Sequence, residues 1–116
     1  KTRVYDLARF INRVTELIPE RVIVRPPSAE LAPGQEDSDS LPPYDRLDTM
    51  LSLYIESDVS PSEIIDAGFD PIEVKHMCRL VDINEYKRRQ SAVGPRVTVR
   101  GFGRDRRYPI ANRWSF

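Results

Sequence analysis

The chain has 116 residues, room for a single domain, and its 40% hydrophobic and 31% charged composition is that of an ordinary soluble fold. No apolar run approaches the roughly 18 residues of a membrane span and no secretory leader is visible; the one cysteine, Cys78, excludes an internal disulfide and offers no metal-ligand spacing, which suits the cytoplasm. The net charge of zero hides an asymmetry, because residues 1–83 carry 9 basic and 16 acidic side chains whereas residues 84–116 carry 9 basic and 2 acidic. Such a basic end can bind nucleic acid, bind a phosphorylated small molecule, or fold back on its own acidic body.

The first segment starts at Lys1 rather than Met and is amphipathic almost at once, as expected of a piece of a longer protein whose apolar faces belong against the remainder. Thr2 is placed to cap a helix with Val4, Leu7, Ala8, Ile11 and Val14 on one face, ended by Pro19. Lys1 stands just before that helix, where it can reach an anion or simply be solvated. Val22, Ile23 and Val24 form a β-branched run that predicts a short strand or the close of a turn.

Residues 25–43 cannot be helix, since Pro26, Pro27, Pro33, Pro42 and Pro43 remove donors and bias the residues before them toward extended geometry. The stretch is acidic and proline-stiffened, and either a linker or a binding loop satisfies that pattern. Ser28 follows two prolines and would be presented rigidly, while Glu30, Gln35, Glu36, Asp37 and Asp39 supply acceptors for ribose hydroxyls, for Mg²⁺, or for water alone.

Pro43 at a first helical position, with Tyr44, Leu47, Met50, Leu51 and Tyr54, predicts a second helix. Ser60-Pro61-Ser62-Glu63 is a capping box opening a short helix that buries Ile64 and Ile65 and stops at Gly68. Asp70-Pro71-Ile72-Glu73 repeats the start signal for a fourth helix running through Val74, Met77, Cys78 and Val81 toward Gln90. The last two helices, joined by Ala67-Gly68-Phe69, have helix-turn-helix spacing, yet Asp58, Glu63, Asp66, Asp70 and Glu73 put carboxylates where DNA phosphates would lie. A plain helical hairpin is the better reading.

His76 and Cys78 point in different directions on a helix and have no second histidine or cysteine to complete a metal site or a nucleophile pair. No catalytic residue and no metal ligand set is read from this sequence, so its chemistry is binding and electrostatic stabilisation. Arg96-Val97-Thr98-Val99-Arg100 alternates like an edge strand. In the tail beyond it, Gly101-Phe102-Gly103 and arginines beside aromatics can stack on bases and grip phosphates. Asp105, the one carboxylate after Glu85, lies between Arg104 and Arg106 as an ion-pair partner or a ligand.

Three segments together resemble the synthetase domain of the glutamine-dependent NAD⁺ synthetases, in which an amidase domain is fused to it. They are Lys1-Thr2-Arg3-Val4-Tyr5-Asp6-Leu7-Ala8; Pro27-Ser28-Ala29-Glu30-Leu31 through Gln35 and Leu41-Pro42-Pro43-Tyr44; and Asn84-Glu85-Tyr86-Lys87-Arg88-Arg89-Gln90 with Phe102-Gly103-Arg104-Asp105-Arg106-Arg107. The resemblance covers essentially the whole chain as the C-terminal portion of that domain. It implies a ligase in which ATP adenylates the nicotinate carboxylate of deamido-NAD⁺ with loss of pyrophosphate. Ammonia, released from glutamine by the amidase, then displaces AMP, and Mg²⁺ assists. It also implies that Lys1 and Ser28 approach the ATP phosphates, that Lys87 and Asp105 grip the nicotinate end of deamido-NAD⁺, and that the loop carrying Glu30, Gln35 and Asp37 closes over the adenylate. Ser38 departs from the pattern, since relatives commonly have an acid there. The Ser-Gly-Gly-x-Asp-Ser pyrophosphate loop and the amidase domain are not in this sequence, so the chain alone is expected to be inactive.

The expected fold is mainly α, a fragment of an α/β, Rossmann-like adenine nucleotide alpha hydrolase domain. Residues 1–24 are assigned to a helix and short strand, 25–43 to a substrate-covering loop, 44–91 to helices and 92–116 to a basic extended tail, about four helices in all. Expected partners are the rest of the synthetase domain, the amidase domain and further copies of the intact enzyme, with no nucleic acid and no membrane. The rival readings are a small helix-turn-helix nucleic-acid binder, and a protein-interaction domain without a small-molecule site.

Overall fold

Helix-start signals fix most of the architecture. The computed structural model describes residues 1–28, 30–37, 41–101, 103 and 105–111, which divide into two units, Lys1–Leu41 and Pro42–Phe116. Among the described residues the chain is helical, with no strand. Ser38, Asp39, Phe102, Arg104 and residues 112–116, some of them named above for binding, lie outside the described residues.

The first unit contains α1 (Thr2–Ile11) and α2 (Glu20–Val24). Thr2 is the first helical residue, not the cap: Lys1 occupies the cap position, makes no side-chain cap bond, and its carbonyl accepts from the Val4 and Tyr5 amides at 2.9 and 3.3 Å. The helix ends at Asn12, well before Pro19, because Asn12 organises the next turn instead. Its Oδ1 accepts from the Leu17 and Ile18 amides at 3.0 Å each, and its Nδ2 donates to the Ile18 carbonyl at 2.7 Å. Val14, expected on the helix face, is therefore in that turn and exposed. No residue of α1 is buried, and Val4 is 69% exposed. The β-branched run Val22–Val24 is helical rather than a strand. Pro19 holds the chain at a helix entrance, the Val22 amide donates to its carbonyl at 2.8 Å, and no neighbouring strand competes for those donors. Ile23 is buried.

The second unit begins with α3 (Tyr44–Leu51), whose cap is Pro43, so the proline sits one position earlier than its usual first-turn place. α3 continues directly into a π-helical turn, Ser52–Glu56. Then come α4 (Pro61–Asp66), α5 (Pro71–Ile83) and α6 (Glu85–Arg88). Both halves of the expected capping box are present at Ser60 and Glu63, Gly68 adopts φ +101, and the Asp70 carboxylate accepts from the Ile72 and Glu73 amides at 2.8 and 3.1 Å. α3 and α4 both pack on α5, and α4 also meets the π-helical turn. Met50, Ile64, Val74 and Met77 are fully enclosed between them, each side chain contributing about 1.5–3 kcal/mol of burial free energy. Ile65, expected in the core, is only half-buried. The long fourth helix is broken at Asn84, which turns its side-chain Nδ2 back on the Leu80 carbonyl at 2.8 Å and stands as the cap between α5 and α6. Residues 96–100 form no edge strand, 98–100 being bends, since Arg96 and Thr98 bond to carbonyls of their own segment and no strand among the described residues offers a ladder.

Candidate functional site

In the first unit the proline-rich loop is closed by its own bonds. The Ser28 hydroxyl donates to the Gln35 carbonyl and accepts from the Glu30 amide at 3.0 Å. The Gln35 Oε1 accepts from the Leu31 amide at 3.0 Å, and the Asp37 amide donates to the Pro27 carbonyl at 3.0 Å. Arg25 pairs with Glu30, whose φ of +53 lies in the left-handed region that a side chain disfavours. The polar groups singled out from sequence thus meet in one network, with Ser28, Glu30 and Gln35 on the wall of a cavity of about 630 Å³. Lys1 lies on a separate element, exposed at the start of α1.

In the second unit α6 and the tail meet through Arg88. Its Nε donates to the Glu85 Oε2 at 3.0 Å, its Nη2 pairs with Oε1, and its Nη1 donates to the Gly103 carbonyl at 3.1 Å. Glu85 is only 3% exposed, so Arg88 neutralises a buried carboxylate while fastening the tail. Lys87, beside it, is exposed with its ammonium 5.9 Å from the Tyr86 ring centroid. Asp105, two residues beyond Gly103, accepts the Gly101 amide at 2.7 Å and faces Arg96 at 3.6 Å. A Cβ on Gly101 would come within 3.3 Å of that carboxylate, so a larger residue there would have to push it aside by a few tenths of an ångström. The Arg88 strut therefore brings the segments carrying Lys87 and Asp105 to one end of the unit. A cavity of about 390 Å³ opens there, lined by Glu85, Arg88, Arg89, Gly103 and Arg107.

Arg106 was not singled out from sequence. It is 2% exposed, its guanidinium carbon 4.1 Å from the Tyr54 ring centroid and 4.4 Å from that of Tyr108, and its Nη1 donates to the Tyr54 carbonyl at 3.4 Å. Arginine among aromatics is the pattern that could have found it, but nothing in the pattern tells a buried arginine from an exposed one. Burial pushes the Tyr54 hydroxyl, the Cys78 thiol and the Asp82 carboxyl up, and Arg106 opposes the shift in all three. Cys78 is a core thiol, buried as expected, and His76 is exposed. At the hairpin, the N-terminus of α5 is filled by the Asp70 carboxylate and Glu73 pairs with Arg46 at 2.8 Å, an arrangement that opposes a DNA phosphate.

A sequence profile described as NAD synthase matches residues 1–91. The chain belongs to the NAD synthase family. The chain is 60% identical over 116 residues to the glutamine-dependent NAD(+) synthetase of Acinetobacter baylyi, a match covering 98% of this chain and 21% of that protein. It is 53% identical over 111 residues to the synthetase of Synechocystis sp., covering 96% and 20%, and 50% identical over 114 residues to that of Aquifex aeolicus, covering 98% and 20%. Among solved structures it is similar to glutamine-dependent NAD+ synthetase from Acinetobacter baumannii in complex with adenosine diphosphate, with a TM-score of 0.58 and 50% identity over 95% of this chain and 19% of that one. This NAD synthase segment thus spans about a fifth of the length of the curated relatives it matches. Within it, no helix among the described residues is long and apolar enough to cross a membrane.

Proposed function

We propose that the chain is the C-terminal, substrate-gripping portion of a glutamine-dependent NAD⁺ synthetase, an ATP-dependent amide-forming ligase acting on deamido-NAD⁺. The observation that carries this reading is the junction of α6 and the tail: in a chain of the NAD synthase family, the Arg88–Gly103 bond ties the helix that carries Lys87 to the tail that carries Asp105, beside a cavity lined by Arg88, Arg89 and Arg107. With Arg88 committed to Glu85 and Gly103, the Arg89 and Arg107 guanidiniums suit the pyrophosphate bridge of a dinucleotide, and Lys87 suits the carboxylate that distinguishes deamido-NAD⁺ from NAD⁺. Arg89 and Arg107 make no ion pair among the described residues, so their charge is available to a ligand. Asp105, already holding the Gly101 amide, presents its remaining acceptor capacity beside them.

The carboxylate oxygen of deamido-NAD⁺ attacks the α-phosphorus of ATP, and the bond to pyrophosphate breaks. Ammonia then attacks the activated carbonyl and AMP leaves. Charge builds on pyrophosphate in the first step, and fixed cations and hydroxyls near it lower the barrier. Lys1 and Ser28 are assigned to those phosphates, and the nucleotide in the Acinetobacter baumannii relative supports an adenine nucleotide as ligand. Ser28 would exchange its Gln35 acceptor for a phosphate oxygen, so binding the nucleotide and reshaping the loop are one event. The loop residues Glu30, Gln35 and Asp37 then cover an adenylate that water would otherwise hydrolyse. Among the described residues no group of three or more His, Cys, Asp or Glu side chains is arranged to hold a metal ion, and no step is assigned to one.

The remainder of the synthetase domain and the amidase domain are the proposed partners, consistent with the open apolar face of α1. The test uses the intact protein that carries this segment, supplied with deamido-NAD⁺, ATP and either glutamine or ammonium. NAD⁺, AMP and pyrophosphate are expected in equal amounts. Release of ADP and phosphate, or no NAD⁺ from either nitrogen source, contradicts the proposal.

A further inference from the structure

The tail reaches the α3 end of its unit through a side chain that is itself wholly enclosed. The π-helical turn Ser52–Glu56 ends at Asp58, which takes φ +57. The Ser57 amide donates to the Ser52 carbonyl at 3.1 Å and the Val59 amide to the Leu53 carbonyl at 3.0 Å. The Tyr54 carbonyl, next along the chain, is taken by Arg106 at 3.4 Å. A helix end leaves carbonyls without backbone donors, and a guanidinium is suited to fill one. The Arg106 Nε and Nη2 have no hydrogen-bond partner among the described residues. What compensates the buried charge instead is a tyrosine ring on each side, with Asp82 close enough for its carboxyl to feel the cation.

Arg100, earlier in the tail, pairs with Asp58 just beyond the same helix end. Arg100 and Arg106, which bracket Gly101, Gly103 and Asp105 in sequence, are thus both anchored near the end of the π-helical turn. Within that span the Asp105 carboxylate is drawn in by the Gly101 amide and Arg96, and the Gly103 carbonyl is held by Arg88. Asp105 and Arg107 flank Arg106 directly, so any shift of the buried guanidinium moves both.

We infer that Arg106, clamped between Tyr54 and Tyr108, is the positioning residue that fixes Asp105 and Arg107 for the dinucleotide. The inference rests on the substrate reading proposed above. It assigns Arg106 no contact with substrate; the residue acts through its two neighbours. Lysine cannot replace it, because an ammonium has neither the flat face that stacks between two rings nor the fork that reaches the Tyr54 carbonyl.

The test uses Arg106→Lys and Tyr108→Leu in the intact protein, with Tyr108→Phe as the conservative control. In the two disruptive variants the KM for deamido-NAD⁺ is expected to rise about tenfold or more, while kcat and the KM for ATP stay within about twofold. The amide of Gly101 should exchange faster with solvent, and those of Val74, Met77 and Cys78 should not. Tyr108→Phe should match wild type in every measurement, since the ring is retained. Parallel changes in both KM values, or a Gly101 amide that keeps its protection, would overturn the inference. So would faster exchange at Gly101 without a change in the dinucleotide KM. If Arg106→Lys does not fold, Tyr108→Leu is judged by the same criteria. A wild-type protein that makes no NAD⁺ would remove the proposed function, leaving the Gly101 amide to decide whether the clamp holds the tail.

Discussion

Ser60 and Glu63 show how much a single pair of side chains settles. The Ser60 Oγ accepts from the Glu63 amide at 3.3 Å, and the Glu63 Oε2 accepts from the Ser60 amide at 3.0 Å. The Ser60 hydroxyl first, and then its backbone, hold the Glu63 carboxyl below its ordinary value of 4.5. A carboxylate whose folded pKa is depressed stabilises the fold above the unfolded value and loses that contribution as pH falls through the folded one. Glu63→Gln should therefore melt at a lower temperature than wild type at pH 7, and the difference should close as the pH is taken below 4.5. A difference that is constant with pH would show that the charge plays no part in the cap. Arg88 makes a second point at this scale. Three consecutive cations, Lys87 to Arg89, look equivalent in sequence, yet one is a buried strut while its neighbours face outward. Spacing along a one-turn helix does not reveal which member turns inward, because that depends on where Glu85 and Gly103 arrive.

Elements divide according to the range of the forces that make them. α4 and α5 were legible because their determinants are local: a capping serine, a capping aspartate, prolines in the first turn, and a glycine at positive φ. The strands expected at Val22–Val24 and at residues 96–100 failed because a strand is defined by its neighbour, and β-branching or alternation alone supplies none. The break at Asn84 was missed because a side chain competing for the Leu80 carbonyl leaves no mark in hydrophobic periodicity. The loop of residues 25–43 was legible as irregular but not as a self-bonded structure. That structure gives it a measurable property. In the intact protein, an adenine nucleotide should slow amide exchange at Leu31 and Asp37 by about tenfold or more if the loop closes on ligand. Unchanged exchange at saturating nucleotide would argue that the loop is not a cover.

For the chain taken whole, the charge asymmetry has two outcomes within the second unit. Part of the basic tail is spent on acidic groups of its own unit, through Arg88 with Glu85 and Arg100 with Asp58. Of the others, Arg96 faces Asp105, Arg106 is buried against two tyrosines, and Arg89 and Arg107 line a cavity. Folding back on acidic groups is thus met by Arg88 and Arg100, while the phosphate-binding reading is the one proposed for Arg89 and Arg107. The sequence motifs singled out the tail and Lys87, but they did not separate out Arg106, whose burial against Tyr54, a ring far away in sequence, and Tyr108 is set by tertiary packing.

The most direct measurement compares Lys87→Ala with Ser28→Ala in the intact protein, recording KM for deamido-NAD⁺ and for ATP in each. Lys87→Ala is expected to raise the dinucleotide KM by about tenfold or more with little change for ATP, as loss of a charged pairing in a substrate site implies, and Ser28→Ala to do the reverse. Equal losses toward both substrates in both variants would contradict the division of labour between loop and tail.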